Sequence, residues 1–151
     1  MYYISMKKVI LYTDGACSNN PGVGGWGAIL MYGEHKKEMS GAEKLTTNNK
    51  MELEAVIQGL SALKESCRVS VYSDSAYVVN AFICEWIDDW QKNGWKTAAK
   101  KDVQNVEQWK KLLDLCKIHQ IDWNKVKGHS DNEFNNRCDA LARHAIETFE
   151  E

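Results

Sequence analysis

Apolar and aromatic residues dominate positions 8–13 (KVILYT), which predicts a strand that stops at Thr13-Asp14-Gly15. A glycine-rich stretch at 22–27 reads as a turn, and 27–32 as a second strand. After a turn at Gly33-Glu34, residues 35–40 form a third. Such short connections predict an antiparallel meander. The period then changes: Leu53, Val56, Ile57, Leu60 and Leu63 fall on one helical stripe. Residues 68–73 are a short strand rich in β-branched side chains, followed by a helix over 76–82. A second amphipathic helix covers 103–118, a last strand 121–126, and a closing helix 130–149. Its apolar face is read as Leu141, Ala142, Ala145, Ile146 and Phe149. This order predicts an α/β fold: a mixed five-stranded sheet, three strands antiparallel and two parallel, flanked by helices. In such sheets ligands gather at the carboxyl ends of strands, where strand order switches.

The totals change this picture little. A chain of 151 residues, 44% apolar and 26% charged, is expected to form one globular domain, with 1–6 as a short N-terminal extension. No apolar run approaches the roughly 20 residues of a membrane span, and Met1 to Ser5 lack the layout of a signal peptide. Cys17, Cys67, Cys84, Cys116 and Cys138 are an odd number, far apart, with no C-x-x-C pair. A reducing, cytoplasmic setting is therefore expected rather than a disulfide framework or structural zinc. A net charge of −2 provides no global attraction to nucleic acid, so any such partner needs a local patch or bound cations.

The acids carry the candidate chemistry. Asp14 ends the first strand and Asp74 the fourth; Glu52 opens a helix and Asp139 lies in the last one. Each has an ordinary structural reading. Asp14-Gly15 is a turn pair, Glu52 completes a capping box with Asn49, Asp74 caps a helix, and Asp139 pairs with Arg143 at i, i+4. Together they read differently. Carboxylates gathered at the functional edge of a sheet repel one another unless a cation sits among them. Hard oxygen ligands suit Mg²⁺ or Mn²⁺, and paired ions support phosphodiester hydrolysis.

The segments YTDGACSNNPGVGGWGAIL, TTNNKMELEAVIQGLSALK, VYSDSAYV, WQKNGWKTAAKK and WNKVKGHSDNEFNNRCDALAR resemble, in order, those of bacterial type 1 ribonuclease H. The resemblance implies a ribonuclease H-like fold and an endonuclease that cuts the RNA strand of RNA–DNA hybrids, leaving 5′-phosphate and 3′-hydroxyl ends. It implies that Asp14, Glu52, Asp74 and Asp139 are catalytic and hold two Mg²⁺ ions, with Mn²⁺ as a substitute. It maps the family's mobile-loop histidine onto His129, which would help protonate or release product. Asn135, one turn before Asp139, would contact substrate or bound water.

RNA is told from DNA by its 2′-hydroxyl, read across the minor groove by backbone and amide groups. Asn20, Asn48 and Asn49 fit that role, with Cys17 in the same first loop and Thr47 at the family's DNA-phosphate position. Residues 85–102 resemble the basic protrusion that grips the duplex, and Trp86, Lys92, Trp95 and Lys96 are its candidate contacts. Here Lys92, Lys96, Lys100 and Lys101 face Glu85, Asp88, Asp89 and Asp102, so the stretch is locally neutral. Trp86 and Trp90, spaced i, i+4, read as packing residues. Ala76 stands where the family often has a glutamine. Asp131 and Glu133 either raise the pKa of His129 or cap the last helix through Ser130-x-x-Glu133. A monomer with no obligate protein partner and no membrane association is expected. The competing reading is a non-catalytic hybrid-binding or duplex-RNA-binding module on the same fold.

Overall fold

The computed structural model describes residues 6–127 and 132–150. Its elements are β1 (Lys7–Cys17), β2 (Gly22–Tyr32), β3 (His35–Thr46), α1 (Asn48–Ser61), β4 (Cys67–Ser73), α2 (Ala76–Ile83), α3 (Trp86–Lys92), α4 (Val106–Ile118), β5 (Gln120–Lys125) and α5 (Glu133–Glu147). The strands form one sheet in the order β3-β2-β1-β4-β5. β1 and β2, and β2 and β3, pair antiparallel, while β4 runs parallel to β1 and to β5. The mixed sheet expected from the sequence is therefore the one observed.

Side-chain alternation along β1 separates the two faces of the sheet. Val9, Leu11 and Thr13 are buried on the face that α1 covers, and Leu11 lies directly under Gly59 of that helix. Tyr12 and Asp14 lie on the other face, on which α5 packs. The main core joins β1 and β4 to α1, α2 and α4. Its largest fully buried side chain is Trp109 of α4, ringed by Tyr77, Phe82 and Trp90.

The glycine-rich stretch 22–27 is strand rather than turn. Gly25 and Gly27 lie within β2 because α5 runs across their Cα positions; a Cβ at either would overlap the carbonyl oxygen of Ala142 or Cys138. The side chains they lack set how closely helix and sheet approach. β3 also runs further than expected, to Thr46, since it pairs with the lengthened β2. α4 starts at Val106 rather than 103, after Asn105 in the left-handed region (φ 60°). The first described turn of α5 is capped by Asn132, whose side chain accepts from the Asn135 N–H. Ser130 and Asp131 lie outside the described residues. The most buried positions of α5 are Asn135, Cys138 and Ala142, a stripe shifted from the apolar face read in the sequence.

His119, at the C-terminal end of α4, is buried and accepts the Cys67 N–H through Nδ1 at 3.1 Å. Burial lowers its pKa, partly offset by a hydrogen bond to the Leu60 carbonyl.

Two outcomes follow from these contacts. Gly25→Ala or Gly27→Ala should destabilise the fold by about 1–3 kcal/mol, measured by urea unfolding, because the helix must back away from the sheet. His119 is held neutral, so its contribution is present above its unfolded pKa near 6.5 and lost as pH falls below it. The difference in stability between wild type and His119→Gln should therefore shrink between about pH 7 and pH 5.

Candidate metal centre and active-site cleft

Three acids from three elements converge at one edge of the sheet. Asp14 lies in β1, opposite Gly27 of β2; Asp74 directly follows β4; Glu52 is in the second turn of α1. One oxygen from each lies within 4.8 Å of the other two. α1 can lie this close because residue 15 is glycine: a Cβ there would stand 2.5 Å from the Glu52 backbone nitrogen. Asp14 and Glu52 are each only 5% exposed. The Gly15 N–H donates to Asp14 Oδ1 at 3.0 Å, and Glu52 Oε2 is buried with no hydrogen-bond partner.

This crowding has an electrostatic cost. Burial, then the charges of Asp74 and Asp139, push the Asp14 carboxyl up to about 8. Burial, then Asp14 and Asp74, hold Glu52 well above the usual carboxylate range. A buried acceptor without a donor beside two further carboxylates is a set of hard oxygen ligands lacking its counter-charge. The residues fit a divalent cation.

The alternative readings of these acids separate cleanly. Thr47, not Asn49, caps α1, so Glu52 belongs to no capping box. Ser75 caps α2 through the Val78 N–H, which frees Asp74 from that role. Asp139 does pair with Arg143, at 2.8 Å, yet it also borders the cleft. It stands apart from the tight trio, and its charge reaches Asp14 across the space between α5 and β1.

The cleft holds about 450 Å³ and is bordered by Asp14, Glu52, Asp74 and Asp139 together with Asn48 and Asn49. A smaller cavity of about 90 Å³ opens between Asp14, Asp74, Asn135, Asn136 and Asp139. Asn135 is buried there, and its Oδ1 has no partner. Sequence reasoning missed Ala16, Ser75, Tyr77 and Asn136, which also line these spaces. Tyr77 is fixed by hydrogen bonds from Trp109 Nε1 and Asn105 Nδ2 at 3.1 and 3.2 Å. Only the tertiary pairing with α4 reveals it.

Other sequence candidates lie outside the cleft. Asn20 accepts the Asn48 N–H at 2.9 Å and ties the first loop to the start of α1. The Cys17 thiol faces the carbonyls of Asn19 and Thr46. The Thr47 hydroxyl is engaged as the α1 cap. Trp86, Lys92, Trp95 and Lys96 do not line it. The tryptophan pair parts company: Trp90 packs on Trp109 at 5.3 Å, whereas Trp86 is 41% exposed and is not the packing residue its spacing implied. Trp95 is half-buried beneath Lys110, and Lys96 is ion-paired with Asp102. His129 lies outside the described residues.

A mixed sheet bearing clustered acids at its switch point defines a candidate divalent-cation site. Comparison with known proteins makes the class specific. The RNase H family matches residues 6–147. A ribonuclease H of Acetivibrio thermocellus is 64% identical over 141 residues, covering 93% of this chain and 96% of that relative. One from Chlorobium luteolum is 61% identical over 141 residues, covering 93% and 97%. Among solved structures, LC9-RNase H1, a type 1 RNase H with the type 2 active-site motif, superposes with a TM-score of 0.85 at 27% identity, covering 97% of this chain and 75% of that one. LC11-RNase H1, solved in complex with an RNA/DNA hybrid, does so at 0.70 and 25%, covering 92% and 96%. The chain belongs to the RNase H family and is a nuclease of that class.

The raised carboxyls yield a stability test. A neutral acid is favoured in the folded state, so stability of the metal-free protein should fall as pH rises from about 4 through 8. Asp14→Asn should flatten that decline in thermal melts, and millimolar Mg²⁺ at pH 8 should raise the melting temperature of wild type more than that of the variant. Equal slopes for both proteins would show that the cluster is not the source.

Proposed function

We propose that the chain is an endonuclease that hydrolyses the RNA strand of RNA–DNA hybrids, leaving 5′-phosphate and 3′-hydroxyl ends, as a monomeric single-domain enzyme of the cytoplasm. The observation carrying this reading is the Asp14–Glu52–Asp74 cluster, with Asp14 and Glu52 buried and one Glu52 oxygen partnerless, at the mouth of an open cleft. Family membership and a structural neighbour crystallised with RNA/DNA hybrid support the substrate.

Asp14, Glu52 and Asp74 would hold one divalent cation, and Asp14 with Asp139 a second; Mg²⁺ is the proposed ion and Mn²⁺ its substitute. When bound, such ions activate water and stabilise the leaving oxygen of a phosphodiester. The chain's own residues do the rest. The Gly15 N–H and the rigidity of β1 hold the Asp14 carboxylate in one orientation. The amides of Asn48 and Asn49, on the cleft wall, can both donate to and accept from a 2′-hydroxyl. Asn20 acts through Asn48, whose backbone it anchors. Asn135 presents an amide to the same space from α5. His129 is assigned, on family resemblance, to passing a proton to the departing 3′ oxygen.

The protrusion is a weak electrostatic grip. Lys96 spends its charge on Asp102, and Asp88 and Asp89 sit in the first turn of α3. Trp86 remains as an exposed aromatic face on this segment.

Labelled RNA–DNA hybrid, duplex RNA and duplex DNA, each with Mg²⁺, Mn²⁺ or chelator, test the reading directly. Only the RNA strand of the hybrid should be cut, and chelator should stop it. Asp14→Asn or Asp74→Asn should lower kcat at least ~10³-fold while hybrid binding survives. Retained cleavage in both variants would overturn the mechanism; binding without cleavage in wild type would favour the non-catalytic module. Hybrid affinity should fall only shallowly with salt, since few lysines are available to displace counterions from phosphates.

A further inference from the structure

Tyr12 and Tyr72 face each other across the parallel β1–β4 pair and stack, with ring centroids 4.8 Å apart and planes 15° apart. Each precedes a cleft carboxylate by two residues, Asp14 and Asp74, and Tyr12 shares Asp14's side of the sheet. On that side Phe134, in the first turn of α5, rests on Tyr12 at 5.3 Å and 39°. Phe134 immediately precedes Asn135, whose buried Oδ1 lacks a partner, and stands five residues before Asp139.

α5 has other anchors, but they lie elsewhere. Gly25 and Gly27 meet the helix at Ala142 and Cys138, in its middle. Arg137 reaches the opposite way, to Glu38 on β3, in a two-pronged and largely exposed ion pair. At the end that carries Asn135, the Asn132 cap is internal to the helix, whereas Phe134 on Tyr12 ties it to β1. The geometry points to the Tyr72–Tyr12–Phe134 stack as the positioning element that sets the first turn of α5 against the strand ends, so that Asn135 and Asp139 face Asp14 and Asp74 across the small cavity. None of the three rings lines that cavity or the cleft, so they act through the residues beside them. The rings couple the end of one helix to the two strands that carry the acids, so a shift of α5 and a shift of β1 or β4 are one motion rather than two. Aromatic pairs of this kind resist sliding more than aliphatic contacts do, because offset and tilt are both restrained.

The inference rests on the nuclease reading, and the test separates the two. Phe134→Ala, Phe134→Tyr and wild type are compared in steady-state cleavage of hybrid well below the melting temperature. In parallel, the Asn135 side-chain amide and the Asp139 backbone amide are followed by NMR with and without Mg²⁺. Phe134→Ala should lower kcat about tenfold with KM changed less than twofold. It should also shift and broaden the Asn135 amide resonance, and Phe134→Tyr should restore both. If Phe134→Ala lowers only the melting temperature, leaving kcat and the Asn135 resonance as in wild type, the stack is merely structural and the inference fails. Wild type that cuts no hybrid while the NMR changes persist would sink the nuclease reading and leave the positioning intact.

Discussion

Close approach of helix to strand backbone is the constraint on which the site depends. Glu52 reaches Asp14 because α1 lies on Gly15 with no side chain between them, and Asp139 borders the same cleft because α5 lies on Gly25 and Gly27. A Cβ at Gly15, Gly25 or Gly27 would meet helix backbone at 2.3–2.5 Å, so the helix would have to move off the strand. The acids and the glycines are therefore one design, with the helices on opposite faces of the sheet brought inward to a common edge. What this arrangement loses in apolar packing it recovers in core elsewhere, around Trp109 and the β1–β4 pair.

Buried like charge is tolerable only in a fold that resists spreading. β1 is the central strand, paired on both sides, so the Asp14 backbone cannot easily move away from its neighbours. The direct Gly15 N–H bond and the caps supplied by Thr47 and Ser75 order the turns around the acids without using the acids themselves. Neutral hydroxyls terminate the helices, and the carboxylates are left for ligands. That division of labour distinguishes the site from an ordinary set of acidic helix ends.

Much of this was legible in the sequence. The order of elements other than α3, the mixed sheet and the location of the acids at its edge follow from hydrophobic period and from motifs whose spacing is hard to produce by chance. The misreadings share a physical origin. Residues 22–27 look like a turn because glycine is read locally as freedom, whereas here it answers to α5, more than a hundred residues away in the chain. Asn49 and Glu52 mimic a capping box, but the helix begins earlier and Thr47 takes the cap. Trp86 and Trp90 share a spacing but not a fate: Trp86, the first residue of α3, stays exposed, while Trp90 packs on Trp109. Tyr77 and Phe134 meet their partners on other elements, which no local pattern encodes.

The Asp139–Arg143 ion pair has a further consequence. Arg143 lies 2.8 Å from the carboxylate that borders the cleft from α5, in a largely exposed ion pair. A cation held at Asp139 would have to share that carboxylate with the guanidinium. Because the pair is largely exposed, its hold weakens with ionic strength, while buried Asp14 and Glu52 feel salt far less. The acids of α5 and of the inner cluster therefore differ in how strongly the surrounding electrolyte screens them.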